Sequence, residues 1–155
     1  MNSRELSEPE RDAMVQALAL ARRAGEQGEV PVGAVVLLDG HVIAARHNER
    51  ESSADPTAHA EVLALRDAAE ALGQWRLREA TLVVTLEPCL MCAGAIWAAQ
   101  VAKVVFGAPD IKAGAMGSLY NLAVDTRLNH QSEVVAGIQA KEAADLMSAF
   151  FVERR

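Results

Sequence analysis

A short apolar strand leads directly into a closely spaced pair of cysteines, and this arrangement limits the folds open to the chain. Residues 81–86 are apolar or β-branched, a pattern typical of a strand buried on both faces. Pro88 then opens a predicted helix that carries Cys89 and Cys92. Both sulfurs would lie near the free N–H groups and the positive end of the helix dipole, which favours thiolate over thiol. The segment therefore predicts a metal site or a redox pair.

These two cysteines are the only ones among the 155 residues. Because they are three positions apart, they cannot link distant parts of a fold, which excludes a disulfide framework. A chain of this length buries a core without disulfides, and no repeat, low-complexity tract or linker interrupts it. We therefore expect a single domain over residues 1–155 in the reducing cytoplasm.

Strands and helices alternate along the chain after an initial hairpin. Ser7 and Glu10 have the spacing of a helix-opening capping box, and Asp39-Gly40 is a two-residue hairpin turn. Apolar periodicity predicts strands at residues 32–38, 41–47, 81–86, 102–106 and 133–137, and helices over 7–28, 55–73, 88–99 and 140–152. The pattern indicates an α/β protein, a three-layer α/β/α sandwich with a mixed sheet of about five strands. The long irregular stretch over residues 107–129 suggests a functional loop.

Histidine is needed to complete a metal site, because two thiolates leave a tetrahedral zinc ion two ligands short. His59 is the best candidate, since it lies at the start of a predicted helix with a carboxylate, Glu61, two residues later. The other histidines are more typical of surface or structural positions: His41, His47 and His130. His59, Cys89 and Cys92 would leave the fourth position to water, which is the catalytic pattern for zinc.

Glu61 is then the natural partner of that water. Zinc lowers the pKa of bound water from about 15.7 to roughly 7, and a nearby carboxylate can take up its proton and pass it on. Taken singly, the motifs are weak: a lone Cys-x-x-Cys also fits a thioredoxin-like redox pair, and His-x-Glu is common by chance. A redox role, however, leaves His59 and Glu61 unexplained. Together and in this order, with Pro88 before the first cysteine, they match the signature of zinc-dependent nucleobase deaminases.

Longer segments narrow the match. From about Glu29 to its C-terminus, the chain contains the segments EVPVGAVV, HNER, DPTAHAEVLALR, TLVVTLEPCLMCAGAI, VVFGAPDIKAGAMGS, LNH and AFFVERR. In these segments it resembles the bacterial tRNA-specific adenosine deaminases, in the cytidine/deoxycytidylate deaminase superfamily. The resemblance implies a cytidine-deaminase-like fold, a homodimer that binds its substrate across the subunit interface, and hydrolytic conversion of adenosine to inosine at the wobble position of a tRNA anticodon.

The resemblance also implies roles for individual residues. One zinc ion per subunit would be held by His59, Cys89 and Cys92, while Glu61 would carry protons from water to N1 of adenine and then to the leaving ammonia. Asn48 would hydrogen-bond the base. The remaining implied contacts are Val30 in the pocket wall, Asp110 and Lys112 at flanking nucleotides, and Asn129, Phe150, Phe151, Arg154 and Arg155 toward the anticodon stem-loop. Pro109 and Gln131 stand where the family often has basic residues, so the phosphate contacts are weaker than usual.

Charge supports a competing interpretation. With 21 acidic and 15 basic residues, the net charge of −6 argues against a general nucleic-acid binder, although the local patch is what matters for RNA. The alternative is a free nucleobase or nucleoside deaminase, acting on guanine or cytosine with the same zinc site. A third hypothesis is a non-catalytic zinc or redox module, in which Glu61→Gln would change nothing.

We expect no membrane association. No apolar run approaches the roughly 20 residues that span a bilayer, and residues 1–12 are too charged for a signal peptide.

Overall fold

The computed structural model describes residues 6–154, so Arg155 lies outside the described residues. The helices of this range are α1 (Glu8–Glu26), α2 (Arg50–Ser53), α3 (Ala60–Leu72), α4 (Leu90–Ala99) and α5 (Ala140–Glu153). The strands are β1 (Gly33–Leu38), β2 (His41–His47), β3 (Thr81–Leu86), β4 (Lys103–Ala108) and β5 (Glu133–Val135). A short 3₁₀ turn covers Leu122–Val124 within the otherwise irregular stretch between β4 and β5.

The strands form one mixed sheet in the order β2-β1-β3-β4-β5. β1 pairs antiparallel with β2 and β3, whereas β3, β4 and β5 run parallel. Helices pack on both faces. One core contains Ala64 of α3 and Ile96 of α4, and the other contains Met14 of α1 and Ala143 of α5. The predicted three-layer α/β/α sandwich is therefore confirmed.

Strand alternation explains how one sheet supplies two cores. In β3, Leu82 and Val84 face the α3/α4 side, while Val83 faces the α1/α5 side. Successive side chains of a strand point to opposite faces, so a strand buried on both sides has an unbroken apolar sequence. Because β3 ends at Leu86, the cysteine turn emerges at the carboxyl edge of the parallel strands, where the candidate site lies.

Local sequence signals set several boundaries. The Ser7 hydroxyl accepts the amide of Glu10, and the Glu10 carboxylate accepts the amide of Ser7, which forms the predicted capping box. Asp39 and Gly40 both adopt positive φ, as a type I′ hairpin turn requires. At Gly33 a Cβ atom would overlap the backbone of Ala17, so glycine lets α1 lie directly on β1.

The predicted start of α3 is wrong. Asp55-Pro56 does not open the helix; the Asp55 carboxylate instead accepts the amide and hydroxyl of Thr57, a local turn that competes with helix formation. The helix begins at Ala60, with His59 as the N-cap residue. α2 was not predicted, since four residues are too short for a periodic signal.

Smaller differences occur elsewhere. α4 begins at Leu90, not Pro88, and β4 extends to Ala108, which removes two residues from the predicted irregular stretch. β5 ends at Val135, two residues short of its predicted end. Among residues 6–154, no helix has both the length and the apolar character needed to cross a bilayer.

Candidate active site

Two helix N-termini bring the predicted metal ligands together. His59 caps α3 and Cys89 caps α4, and Cys92 lies in the first turn of α4. Both capping residues have extended backbone angles, so their side chains leave the helix axis and converge. The sequence placed each segment near the start of a helix, although not at the observed N-cap, and the packing of α3 and α4 on the same face of the sheet supplies the proximity.

The three donor atoms fit a zinc ion. The His59 Nδ1 atom lies 3.6 Å from the Cys89 sulfur and 3.4 Å from the Cys92 sulfur, and all three donors lie within 4.8 Å of one another. Tetrahedral zinc with Zn–N near 2.05 Å and Zn–S near 2.3 Å would separate nitrogen and sulfur by about 3.6 Å. The observed spacings match that value, so His59, Cys89 and Cys92 are placed to hold a metal ion.

The three donor groups shift one another's pKa values. A hydrogen bond from the Cys92 thiol, followed by one from His59, lowers the pKa of Cys89 to about 4. Hydrogen bonding to Cys89, together with burial, raises the pKa of Cys92. The pKa of His59 is raised mainly by its hydrogen bond to Cys89. The shift at Cys89 favours its thiolate, which is the form that binds a metal ion.

Glu61 lies beside this group on the first turn of α3. Its side chain is buried, and burial raises the pKa of its carboxyl group. A raised pKa brings a carboxyl group closer to the range in which it can both accept and donate a proton near neutral pH. The location next to His59 and Cys92 suits proton transfer at the metal, although its role as the proton carrier stays a prediction.

A cleft of about 240 Å³ opens onto these residues. Four residues predicted for substrate binding line it: Val30, Asn48, Asp110 and Phe151. Lys112 and Asn129 are absent from its lining. Lys112 is exposed on the adjoining loop, and the Asn129 side chain accepts a hydrogen bond from the indole of Trp97. These two residues lie outside the cleft itself.

Asn48 is fixed on two sides. Its Nδ2 donates to the Val30 carbonyl, and its Oδ1 accepts the amide of Ala60. An asparagine side chain has two N–H groups and two acceptor lone pairs. One of each therefore remains for a ligand after these contacts have oriented the amide.

The two adjacent phenylalanines near the C-terminus differ in burial. Phe150 is buried and Phe151 is 48% exposed, as expected for adjacent residues about 100° apart on a helix. The Arg154 guanidinium lies 3.5 Å from the centroid of the Phe150 ring and donates to the Phe150 carbonyl. Of the predicted C-terminal contacts, only Phe151 lines the cleft, and Arg155 lies beyond the described residues.

Three cleft-associated residues were missed in the sequence. Arg50, on α2, lines the opening. The buried carboxylate of Glu29 accepts the amides of Glu51 and Ser52 and so anchors α2. Glu87 is also buried and lines the cleft. For Glu29 and Glu87, the available signal was an acidic residue beside an apolar segment, because an acid is rarely buried unless it is paired.

The chain is similar to known deaminases in sequence and in fold. Residues 8–155 match the family described as MafB19-like deaminase. A tRNA-specific adenosine deaminase of Bacillus subtilis is 52% identical over 142 residues, which cover 92% of this chain and 88% of that protein.

Two solved structures have similar folds. One, from studies of A-to-I editing by tRNA:A34 deaminases at the wobble position of transfer RNA, has a TM-score of 0.84 and 46% identity, covering 87% of this chain and 98% of that chain. The guanine deaminase from Nitrosomonas europaea has a TM-score of 0.80 and 27% identity, covering 96% and 87%. The fold is thus the predicted cytidine-deaminase-like one, and the chain belongs to the MafB19-like deaminase family and to the family of tRNA-specific adenosine deaminases.

Proposed function

We propose that this protein converts adenosine to inosine by hydrolysis at the wobble position of a tRNA anticodon, and that residues 1–155 act as one deaminase domain in the cytoplasm. The observation that carries the proposal is the convergence of His59, Cys89 and Cys92 beside the buried Glu61 at a base-sized cleft. The proposed substrate, a tRNA, is supported by the 52% identity to a tRNA-specific adenosine deaminase.

His59, Cys89 and Cys92 would hold one zinc ion per subunit. When bound, zinc would supply a water molecule of lowered pKa as the nucleophile. Glu61 would take a proton from the attacking water and deliver it to N1 of adenine while the water oxygen bonds to C6. The same carboxyl group would then pass the remaining proton of that oxygen to the amino group, so that the C6–N6 bond breaks and ammonia leaves. Water supplies the oxygen of inosine, so no oxidant or reductant is needed.

The cleft walls would orient the flipped base. Asn48 retains one N–H donor and one acceptor position for the purine, and Val30 and Phe151 contribute apolar surface to the cleft lining. An anticodon loop already exposes its bases, which keeps the cost of unstacking small. The base is therefore selected by shape and hydrogen bonding inside the cleft.

Basic groups near the opening would meet the RNA backbone. Arg50 lines the cleft, and Lys112 extends from the loop that also carries Asp110. The net charge of −6 does not conflict with this, because phosphate attraction depends on the local cluster. Salt-sensitive binding of a short RNA loop is the expected consequence.

A homodimer is supported by α4, which is apolar around its whole circumference. Its inward residue Ile96 is buried, but Leu90, Met91 and Trp97 are exposed, the first by 53%. A helix that is apolar on all sides is normally buried, and exposed apolar patches commonly mark interfaces. We therefore assign this face of α4 to contact with a second copy of the chain.

The test is inosine formation. Purified, zinc-loaded protein would be given an anticodon stem-loop RNA with adenosine at the wobble position, in parallel with free adenosine, guanine and cytosine. We expect inosine only in the stem-loop. A matched RNA with the adenosine in the base-paired stem serves as the control, because a paired base cannot enter the cleft without the cost of extrusion.

Purine-base deamination is the second candidate. It is favoured by the acidic net charge and by the structural similarity to the guanine deaminase from Nitrosomonas europaea. Conversion of free guanine with the RNA unchanged would establish that alternative. The proposed zinc chemistry would still apply, but RNA would not be the substrate.

A further inference from the structure

Glu87 is a buried carboxylate that the proposed chemistry does not use. It lies between the end of β3 and Cys89, and its side chain is 2% exposed. Its Oε1 accepts the amide of Asp110 at 3.1 Å and the hydroxyl of Ser118, and its Oε2 accepts the amides of Met116 and Ser118, both at 3.1 Å. A carboxylate accepts about four hydrogen bonds, so these donors fill Glu87.

All four donors belong to the irregular segment 109–121, which we call the cleft loop. Two further contacts join this loop to the cysteine turn: the amide of Ala115 donates to the Pro88 carbonyl at 2.9 Å, and Cys89 pairs with Gly114 in a β-bridge. The loop thus folds around one buried charge. Its peptide N–H groups donate to the Glu87 carboxylate, whereas the N–H groups of the strands donate to neighbouring strands.

The backbone of the cleft loop packs closely against the Glu87 carboxylate. A Cβ atom added to Gly114 would overlap the Glu87 carboxyl group and the Asp110 carbonyl. The absence of a side chain at Gly114 therefore lets the loop lie directly against the Glu87 carboxylate.

From these contacts we infer that Glu87 is a positioning residue, which locks the cleft loop to the zinc-ligating turn and so sets where the loop meets the anticodon RNA. This inference rests on the proposed function. Glu87 is not a catalytic residue, because its acceptor positions are occupied by the loop. Its effect passes through Asp110, whose amide it binds and whose side chain lines the cleft.

The cleft loop also contains a turn that is stabilised by its own hydrogen bonds. The Asp110 carboxylate accepts the amides of Lys112 and Ala113, at 3.1 and 3.2 Å. Asp110 and Lys112 therefore belong to one hydrogen-bonded turn, and Glu87 is the side chain that joins this turn to the end of β3. Releasing the Glu87 contact would shift the RNA-facing side chains while leaving the metal ligands on α3 and α4 in place.

The experiment compares wild type with Glu87→Gln, which keeps the side-chain shape but replaces one acceptor oxygen by a donor. We expect KM for the anticodon stem-loop to rise about tenfold or more, with kcat changed by less than about threefold, since each lost buried hydrogen bond weakens the loop. Zinc content should be unchanged. Glu10→Gln is the matched control, because Glu10 is also a buried acid but pairs with Lys103 at 2.8 Å, remote from the loop.

Hydrogen exchange of residues 109–121 provides a readout independent of activity. Exchange should accelerate in Glu87→Gln and, to a smaller degree, in Ser118→Ala, but not in Glu10→Gln. Ser118→Ala removes a single donor, so it remains informative where the first variant folds poorly. Its KM change should not add to that of Glu87→Gln in the double variant, because both act on the same contact.

Three outcomes would overturn the inference: unchanged loop exchange, faster loop exchange with unchanged KM, or loss of zinc from Glu87→Gln. The last would make Glu87 a support of the metal site. If wild-type protein forms no inosine in the stem-loop, the proposed function fails separately. Unchanged exchange in the variants would still refute the loop anchor in that case.

Discussion

At the scale of single residues, the spacing of His59 and Glu61 separates two tasks. His59 is outside the helix as its N-cap, so its imidazole swings toward the cysteines, and its carbonyl still accepts the amide of Leu63. Glu61 is inside the first turn and points into the buried interior beside the metal ligands. In the proposed mechanism, this short segment would supply a metal ligand, His59, and a proton carrier, Glu61, without placing both in the same coordination shell.

Replacing Glu61 by Gln should abolish turnover while retaining zinc. The amide cannot carry the proton, and general acid–base catalysis typically contributes 10²–10⁴-fold, so kcat should fall by about that factor. Single-turnover inosine formation and metal analysis of the same sample check both parts. Glu70→Gln, at an exposed position of α3, is the control. Normal activity of Glu61→Gln would end the mechanism.

Cys89→Ala should lose zinc and thermal stability together. Removing one of three protein ligands weakens the site, and metal binding free energy contributes to folding. Wild type should therefore melt at a lower temperature after chelation, whereas chelation should leave Cys89→Ala unaffected. A zinc-dependent melting temperature in the variant would show that the metal is held elsewhere. Calorimetry with and without chelator gives the comparison.

At the scale of elements, α2 is a helix that its surroundings stabilise. Four residues cannot nucleate a stable helix by themselves, and Glu29 supplies what is missing by accepting the amides of Glu51 and Ser52, at 3.0 and 2.8 Å. Arg50, the first residue of α2, consequently has a defined place at the cleft. The helix is held in place by its surroundings and is not an independent folding unit.

The Glu29 contact predicts a pH dependence of stability. Burial would raise the pKa of Glu29, but the amides of Glu51 and Ser52 outweigh it and lower the pKa below its ordinary value of 4.5, with nearby His47 contributing in the same direction. A group whose pKa is lower in the folded state stabilises the fold above its unfolded pKa and loses that effect as the pH falls through its folded pKa.

Glu29→Gln should therefore cost about 1–3 kcal/mol of unfolding free energy at pH 7, and the difference from wild type should shrink as the pH falls below 4.5. Urea denaturation across that range measures it. Glu26→Gln, an exposed neighbour at the end of α1, should match wild type throughout. A difference that grows toward acid pH would contradict the assignment.

At the scale of the whole molecule, the uncovered face of α4 predicts self-association. Ala98→Glu places a charge on this exposed face, and burying an unpaired charge in an interface is costly. The variant should shift toward monomer in light-scattering measurements while keeping its zinc. Val15→Glu, at an exposed position of α1, should not. If wild type and both variants have the same mass in solution, the proposal that α4 forms the interface is wrong.

Sequence patterns predicted the elements whose signals are local. The capping box of Ser7 and Glu10, the Asp39-Gly40 turn and the apolar run of β3 each depend on near neighbours, and the structure confirms all three. The start of α3 was wrong because two local signals competed: Asp55-Pro56 resembles a helix opening, yet the Asp55 side chain closes a turn on Thr57. Helix propensity alone does not determine which of these two signals sets the start of α3. In the folded structure the helix begins at Ala60, with His59 packed toward the cysteines.

By itself, the sequence determined the layered α/β class, the metal-ligand types and the deaminase signature, because residue chemistry and short spacings encode them. Only the tertiary structure decided which predicted substrate residues share the cleft: Val30, Asn48, Asp110 and Phe151 line it, and Lys112 and Asn129 do not. It also revealed why Glu29 and Glu87 are buried acids. Their partners lie more than 20 residues away, and contacts over such separations exist only once the chain has folded.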